Sequence, residues 1–271
     1  MNTYRAHVFS HVGNSRTQHQ DNYLVGNHTF LSEELRDVMT IANSLHCEEA
    51  ELQSGGYCAF VCDGMGGHAH GEVASLTAVQ LLRKHNARLL QAAAVSTEAM
   101  QDIISRLNDE FCQIATGKPE LRTMGTTLCG VILKDYRVYG VNIGDSRLYI
   151  YQEGSLKQIT IDHTEGQRLK DLGFLTEDEV LRFPNRKAIY KHIGQRVNLR
   201  PDVFEIDNIV PGTALLLTTD GLTDALSDEE IRKVLLAERS DLKKCGCKLI
   251  ENAITRNIGF GDNITLILMG F

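Results

Sequence analysis

Thr127-Leu128-Cys129-Gly130-Val131-Ile132-Leu133 is followed by Lys134-Asp135, then by Arg137-Val138-Tyr139-Gly140-Val141-Asn142-Ile143 and by Gly144-Asp145-Ser146. The same rhythm continues with Leu148-Tyr149-Ile150-Tyr151-Gln152, Glu153-Gly154-Ser155 and Leu156-Lys157-Gln158-Ile159-Thr160-Ile161. Runs rich in β-branched and aromatic residues, cut by Gly, Asp and Ser, read as four strands in an antiparallel meander. Upstream, Val73, Leu76, Val79 and Leu82 recur at helical spacing over 72–90. Met100, Ile103, Ile104, Leu107, Phe111 and Ile114 do so more strongly over 97–116. Downstream, residues 163–211 form a long irregular segment with one short helix, marked by the capping box Thr176-Glu177-Asp178-Glu179, and this segment is read as flap-containing. A strand over 214–219 follows, then a helix opened by a second box, Ser227-Asp228-Glu229-Glu230, a helix near 242–257 and a closing strand over 264–269. Strands and helices come in blocks without βαβ alternation, which predicts an α+β sandwich.

The 271 residues, 42% hydrophobic with four prolines, suffice for one large core, and the whole span 1–271 is read as a single domain. A net charge of −7, with scattered Lys and Arg, argues against a nucleic-acid partner. No apolar signal core stands at the start and no run approaches the roughly 20 apolar residues that span a bilayer, so a cytoplasmic protein with no membrane partner is expected. Seven cysteines lack metal-type spacing, Cys245-Gly246-Cys247 being the one close pair; they are expected to be reduced and mostly packed in the core.

Three aspartates sit where packing alone would not put them. Ala59-Phe60-Val61-Cys62 reads as a buried strand and runs directly into Asp63-Gly64-Met65-Gly66-Gly67-His68. Asp220 follows Leu215-Leu216-Leu217-Thr218-Thr219, and Asp262 precedes Ile264-Thr265-Leu266-Ile267-Leu268-Met269. Acids gathered at strand ends repel one another, glycines let the backbone approach a ligand, and a divalent cation removes the repulsion. Oxygen-only ligands favour magnesium or manganese over zinc.

Six motifs in order carry a resemblance: Arg16-Thr17-Gln18-His19-Gln20-Asp21-Asn22; Asp63 to His68 with Gly71; Met124-Gly125-Thr126-Thr127; Gly144-Asp145-Ser146-Arg147; Thr219-Asp220-Gly221-Leu222-Thr223-Asp224; and Asp262-Asn263-Ile264-Thr265. Together they span nearly the whole chain and resemble the bacterial branch of the metal-dependent protein phosphatases of type 2C. The resemblance implies two antiparallel β-sheets packed as a sandwich, flanked by α-helices on both outer faces. It also implies hydrolysis of phosphoserine and phosphothreonine in proteins by attack of a metal-bridging hydroxide. Two manganese or magnesium ions would generate that nucleophile and neutralise the developing charge. By the same resemblance Asp63 is the bridge, the Gly64 carbonyl completes the first metal, Asp220 and Asp262 hold the second, and Asp145 serves a third, looser ion. Asp21 corresponds to the acid that orients metal-bound water from behind the ligands, and Arg16 to the phosphate clamp, a role suited to a planar guanidinium. The partners implied are phosphorylated proteins and, through them, a bacterial-type serine/threonine kinase.

Each residue also has a plainer reading: an aspartate beside glycine is usually a turn, Arg16 could be a surface arginine, and His68 is expected to be structural. The chain departs from the family pattern at three places. His19 stands where asparagine is usual, Met65 where eukaryotic relatives carry a histidine proposed as leaving-group acid, and residues 31–56 lengthen a short connection, expected as a surface elaboration. A catalytically inactive phosphoprotein-binding module of the same fold is the main rival; retention of Asp63, Asp220 and Asp262 argues against it. No P-loop supports a nucleotide hydrolase, and the acidic balance disfavours a nuclease.

Overall fold

The computed structural model describes residues 5–26, 28–29, 46–51, 55–65, 70–117, 121–256 and 261–271, with the backbone alone for 46–51. The strands are β1 (Arg5–His11), β2 (Asp21–Val25), β3 (His46–Glu51), β4 (Tyr57–Met65), β5 (Gly125–Thr126), β6 (Leu128–Lys134), β7 (Arg137–Ile143), β8 (Arg147–Gln152), β9 (Ser155–Gln158), β10 (Asp202–Glu205), β11 (Ala214–Thr218) and β12 (Ile264–Gly270). The helices are α1 (Gly71–Ala93), α2 (Thr97–Thr116), α3 (Glu165–Asp171), α4 (Glu177–Arg182), α5 (Asp220–Ala225), α6 (Asp228–Ala237) and α7 (Leu242–Arg256). One sheet has the order β3-β1-β12-β11-β8-β9 and the other β10-β7-β6-β4-β2, with β5 pairing onto the end of β4. All the pairings are antiparallel.

Two-residue periodicity explains the layers. In β4, Tyr57, Ala59 and Val61 face the space between the sheets, while Cys58, Phe60 and Cys62 pack outward with Leu82, Met100 and Phe111 of α1 and α2. In β12, Ile267 and Met269 face inward, and Ile264, Leu266 and Leu268 pack against Leu249 and Ile250 of α7. Both faces of each central strand are thus covered, which is why these strands read as unbroken apolar runs. The α+β sandwich with helices outside is the observed fold.

The meander is corrected by the structure. β6 and β7 form a hairpin in one sheet, whereas β8 and β9 form a hairpin in the other, β8 pairing with β11. The chain changes sheets at Gly144, which takes φ +107°; a Cβ there would stand 2.6 Å from the Thr127 side chain, so glycine is needed. The last run is also shorter than read, since pairing ends at Gln158 and Ile161 is exposed. In 163–211 there are two helices and the strand β10 in place of one helix. The capping box predicted at Thr176 opens α4, and its partner at Ser227 opens α6, both with the reciprocal bonds in place. Of residues 31–56, the stretch 46–51 forms the edge strand β3 against β1; residues 31–45 and 52–54 lie outside the described residues.

Candidate metal centre

The β2–β4 register sets Asp21 beside Asp63 at neighbouring strand ends. Asp220 begins α5 directly after β11, and Asp262 stands just ahead of β12, which pairs with β11. Sheet topology therefore delivers four acids from four separate parts of the chain to one end of the sandwich. Between them lies a cleft of about 650 Å³ lined by Ser15, Arg16, Thr17, Gln18, Gln20, Asp63, Gly64, Met65, Ile189, Asp220 and Asp262. An adjoining groove of about 190 Å³ includes Asp145, Asp162, Lys187, Asp220 and Asp224. Asp220 borders both, which places the Asp145 corner next to the main cleft. Among the described residues the acids ring an open space and do not form a closed cage of three or more ligating side chains.

Residues named within the motifs hold the acids in place. The Asp63 amide donates to Thr127 Oγ1 at 2.9 Å, and the Asp63 carbonyl accepts from the Thr126 hydroxyl at 2.8 Å and the Thr127 amide at 2.9 Å. Thr127 Oγ1 in turn meets Ser146 Oγ at 2.7 Å, so the third and fourth motifs brace the second. Asn263 Nδ2 donates to the Val12 and Gln18 carbonyls at 2.8 and 3.0 Å, and its Oδ1 accepts from the Gln20 amide at 2.7 Å. One amide side chain thereby fixes the 12–20 loop that carries Arg16 against the loop that carries Asp262. Gly221 packs so closely on Asn263 that a Cβ would stand 2.0 Å from its carbonyl oxygen.

Asp21 is 1% exposed and accepts from Thr219 Oγ1 at 2.8 Å. Burial pushes its carboxyl up to about 8, opposed by that hydrogen bond and reinforced by the charges of Asp262 and Asp220. Asp63 is raised well above the usual carboxylate range by burial, then by Asp21, Asp220 and Asp145. Asp220 is pushed up to about 6 by burial, Asp224 and Asp262, with Lys187 opposing, and Asp145 to about 7 by burial and then Asp220. Oδ1 of Asp220 and Oδ1 of Asp145 are buried with no hydrogen-bond partner. Oxygen donors that lack hydrogen-bond partners and repel one another are the donor set a hard divalent cation accepts. Asp262 is the exception: its Oδ2 receives Arg16 Nη2 at 2.7 Å, and burial at that pair is slight, with side-chain exposures of 40% and 50%.

His19 is placed by the structure in the core. It is fully buried, and its Nε2 lies 2.8 Å from Ser10 Oγ, which also meets Thr265 Oγ1 at 2.7 Å. It ties the Arg16 loop to β1 and β12 and does not line the cleft. Met65 does line it, while Gly66, Gly67 and His68 lie outside the described residues. The six cysteines with described side chains, Cys245 and Cys247 among them, are free thiols. The 163–211 segment borders the cleft through Ile189 and reaches α5 through an ion pair between Lys187 and Asp224.

The raised carboxyls bind protons more tightly in the fold than in the unfolded chain, so their contribution to stability is complete below about pH 4 and is lost as pH rises toward 8. Metal-free protein is expected to lose about 5 °C in Tm between pH 5 and pH 8, roughly 2 kcal/mol for a domain of this size. Saturating manganese should restore more at pH 8 than at pH 5, which differential scanning calorimetry checks.

Several solved bacterial phosphatases share this two-sheet sandwich. Stp1 from Staphylococcus aureus superposes with a TM-score of 0.80 at 28% identity, covering 98% of this chain and 94% of that one. The catalytic domain of PstP in complex with two manganese ions superposes at 0.72 with 26% identity over 99% and 98%. In sequence, a serine/threonine phosphatase of Listeria innocua is 32% identical over 212 residues, 77% of this chain and 82% of the relative. PstP of Mycobacterium tuberculosis is 32% identical over 228 residues, 81% of this chain and 41% of the relative. The Protein phosphatase 2C family pattern matches residues 40–249, and the chain belongs to that family.

Proposed function

We infer that the protein is a metal-dependent protein phosphatase that hydrolyses phosphoserine and phosphothreonine in proteins. The observation that carries the reading is the cleft, where Arg16, Asp63, Gly64, Asp220 and Asp262 converge from distant parts of a chain of this family. The inactive binding module is disfavoured because the acid set is complete and the relatives bear the name of serine/threonine phosphatases.

In this reading Asp63 would serve two cations, the Gly64 carbonyl would complete the first, Asp220 and Asp262 would hold the second, and Asp145 would hold a third. The unpartnered oxygens of Asp220 and Asp145 and the all-oxygen donor set support manganese or magnesium. When bound, the cations supply a strong nucleophile from water at neutral pH and offset the negative charge of the phosphoryl group. The chain's own residues do the rest. Arg16, paired with Asp262 in the metal-free fold, would grip two phosphate oxygens of the substrate when Asp262 serves a cation. Asp21, fixed by Thr219, would stand behind the ligands and orient the attacking water. Met65 offers no proton where it lines the cleft, so the proton for the leaving alkoxide comes from water or from another group. The substrates are phosphoproteins made by a bacterial-type serine/threonine kinase, and the enzyme works in the cytoplasm. Among the described residues no helix is long and apolar enough to cross a membrane.

Phosphate release from a phosphothreonine peptide with manganese, repeated with excess EDTA, tests the activity. Release that EDTA abolishes is expected; no release from folded, manganese-loaded protein would favour the binding module. Arg16→Ala should raise KM for the peptide about 10-fold and change kcat by less than about 3-fold, because the clamp acts mainly on bound phosphate.

A further inference from the structure

His163 is outside the acid set, yet it touches the corner that presents Asp145. The Gly144 amide donates to His163 Nδ1 at 3.0 Å, and the His163 amide donates back to the Gly144 carbonyl at 2.9 Å. An accepting Nδ1 puts the ring proton on Nε2, which donates to Asp202 Oδ2 at 3.0 Å. Lys191 Nζ holds the other oxygen of Asp202 at 2.6 Å, and Tyr190 packs edge-on against the ring at 5.7 Å. His163 is 3% exposed, so the ring is enclosed as well as bonded. Its neighbour Asp162 accepts from Arg147 Nε at 3.0 Å and Nη2 at 2.6 Å.

Consecutive residues 162 and 163 therefore grip the two ends of Gly144-Asp145-Ser146-Arg147. Asp145 lies between them, 8% exposed, with Oδ1 unpartnered and Gly144 in the left-handed region. We propose that His163 is the positioning residue of the Asp145 corner: its ring, held by Asp202 and Lys191, fixes the Gly144 amide and with it the aim of the Asp145 carboxylate. The same chain of bonds ties that corner to the 163–211 segment beside the cleft. The inference rests on Asp145 serving a cation; His163 acts on that cation only through the backbone.

Two isosteric variants separate the two ring nitrogens. His163→Asn keeps an acceptor near the place of Nδ1 and loses the donor to Asp202, whereas His163→Gln keeps a donor near Nε2 and loses the acceptor for Gly144. In metal-free protein, amide hydrogen exchange over residues 143–148 should speed up about 10-fold in His163→Gln and by a clearly smaller factor in His163→Asn. In calorimetric manganese titrations, His163→Gln should weaken the loosest site about 10- to 100-fold, as is expected of Asp145→Asn, and leave the tighter sites unchanged. Phosphate release should fall in the same order. Equal exchange in the two variants, or Asn impaired as much as Gln, overturns the proposal. If Asp145→Asn leaves all manganese binding unchanged, the reading of Asp145 fails, while the exchange contrast still decides for or against His163. Should His163→Gln not fold, Asp202→Ala frees the ring without removing it and should raise the same exchange rates by a smaller factor; unchanged rates would overturn the proposal.

Discussion

Asp220→Asn is expected to lower kcat on a phosphothreonine peptide about 10³-fold, the equivalent of about 4 kcal/mol of transition-state stabilisation. Asn keeps the size of the side chain and removes its charge. In the fold Asp220 stands among Asp63, Asp262 and Asp224, so the negative charge is costly there without a cation. Metal-free Asp220→Asn should accordingly melt at or above the wild-type Tm at pH 8, while the gain in Tm on adding manganese shrinks. Activity lost with stability kept separates a ligand from a structural acid. A variant that retains near-normal turnover would overturn the assignment of the second cation site.

Gly64→Ala is expected to abolish activity through the backbone. An added Cβ would stand 1.9 Å from the Gly71 carbonyl oxygen and 2.7 Å from that of Gln20, and neither is a flexible side-chain end that can turn away. The Gly64 amide also donates to the Gln20 carbonyl at 3.1 Å, so any shift loosens the loop that leads to Asp21. Overpacking of this kind costs about 1–3 kcal/mol or more, seen as a lower urea midpoint. Because the strain falls on the carbonyl proposed to serve the first cation, manganese affinity should fall with it. A Gly64→Ala protein of wild-type stability and affinity would show that close approach at this glycine is not required.

Asp63, Asp220 and Asp262 were legible in the sequence because each terminates or precedes an apolar run, and strand ends are where a sandwich exposes backbone and side chains to one edge; Asp21 and Asp145 came only with the family resemblance. The helix over 97–116 and both capping boxes were legible because their signals are local. The helix α3 carried a local signal too, Thr164 capping with Gln167 three residues on, which the reading passed over. Sheet membership was not legible: nothing near Gly144 distinguishes a hairpin turn from a change of sheets, since the difference lies in β8 pairing with β11 some sixty residues later. β1 was hidden by His7, Ser10 and His11, polar residues that are nonetheless buried, and β3 by the acidic edge sequence His46-Cys47-Glu48-Glu49-Ala50-Glu51. Within the site, Asn263, Thr127 and Ser146 lay inside recognised motifs, but their work depends on partners brought close only by the fold. His19 drew attention as a departure from the family pattern near the acids, and its burial against Ser10 shows a positioning contact to β1 in place of a cleft residue. His163 carried no motif of its own; only its bonds to Gly144 and Asp202 reveal it.

The central claim is that Asp63 is the carboxylate shared by the cations that run the reaction. Calorimetric titration of manganese into wild type and Asp63→Asn tests it most directly. The account predicts at least two tight sites per wild-type chain and a loss of affinity of about 100-fold or more in the variant, since a carboxylate serving both ions is removed. An Asp63→Asn protein that takes up manganese with wild-type stoichiometry and affinity would contradict it.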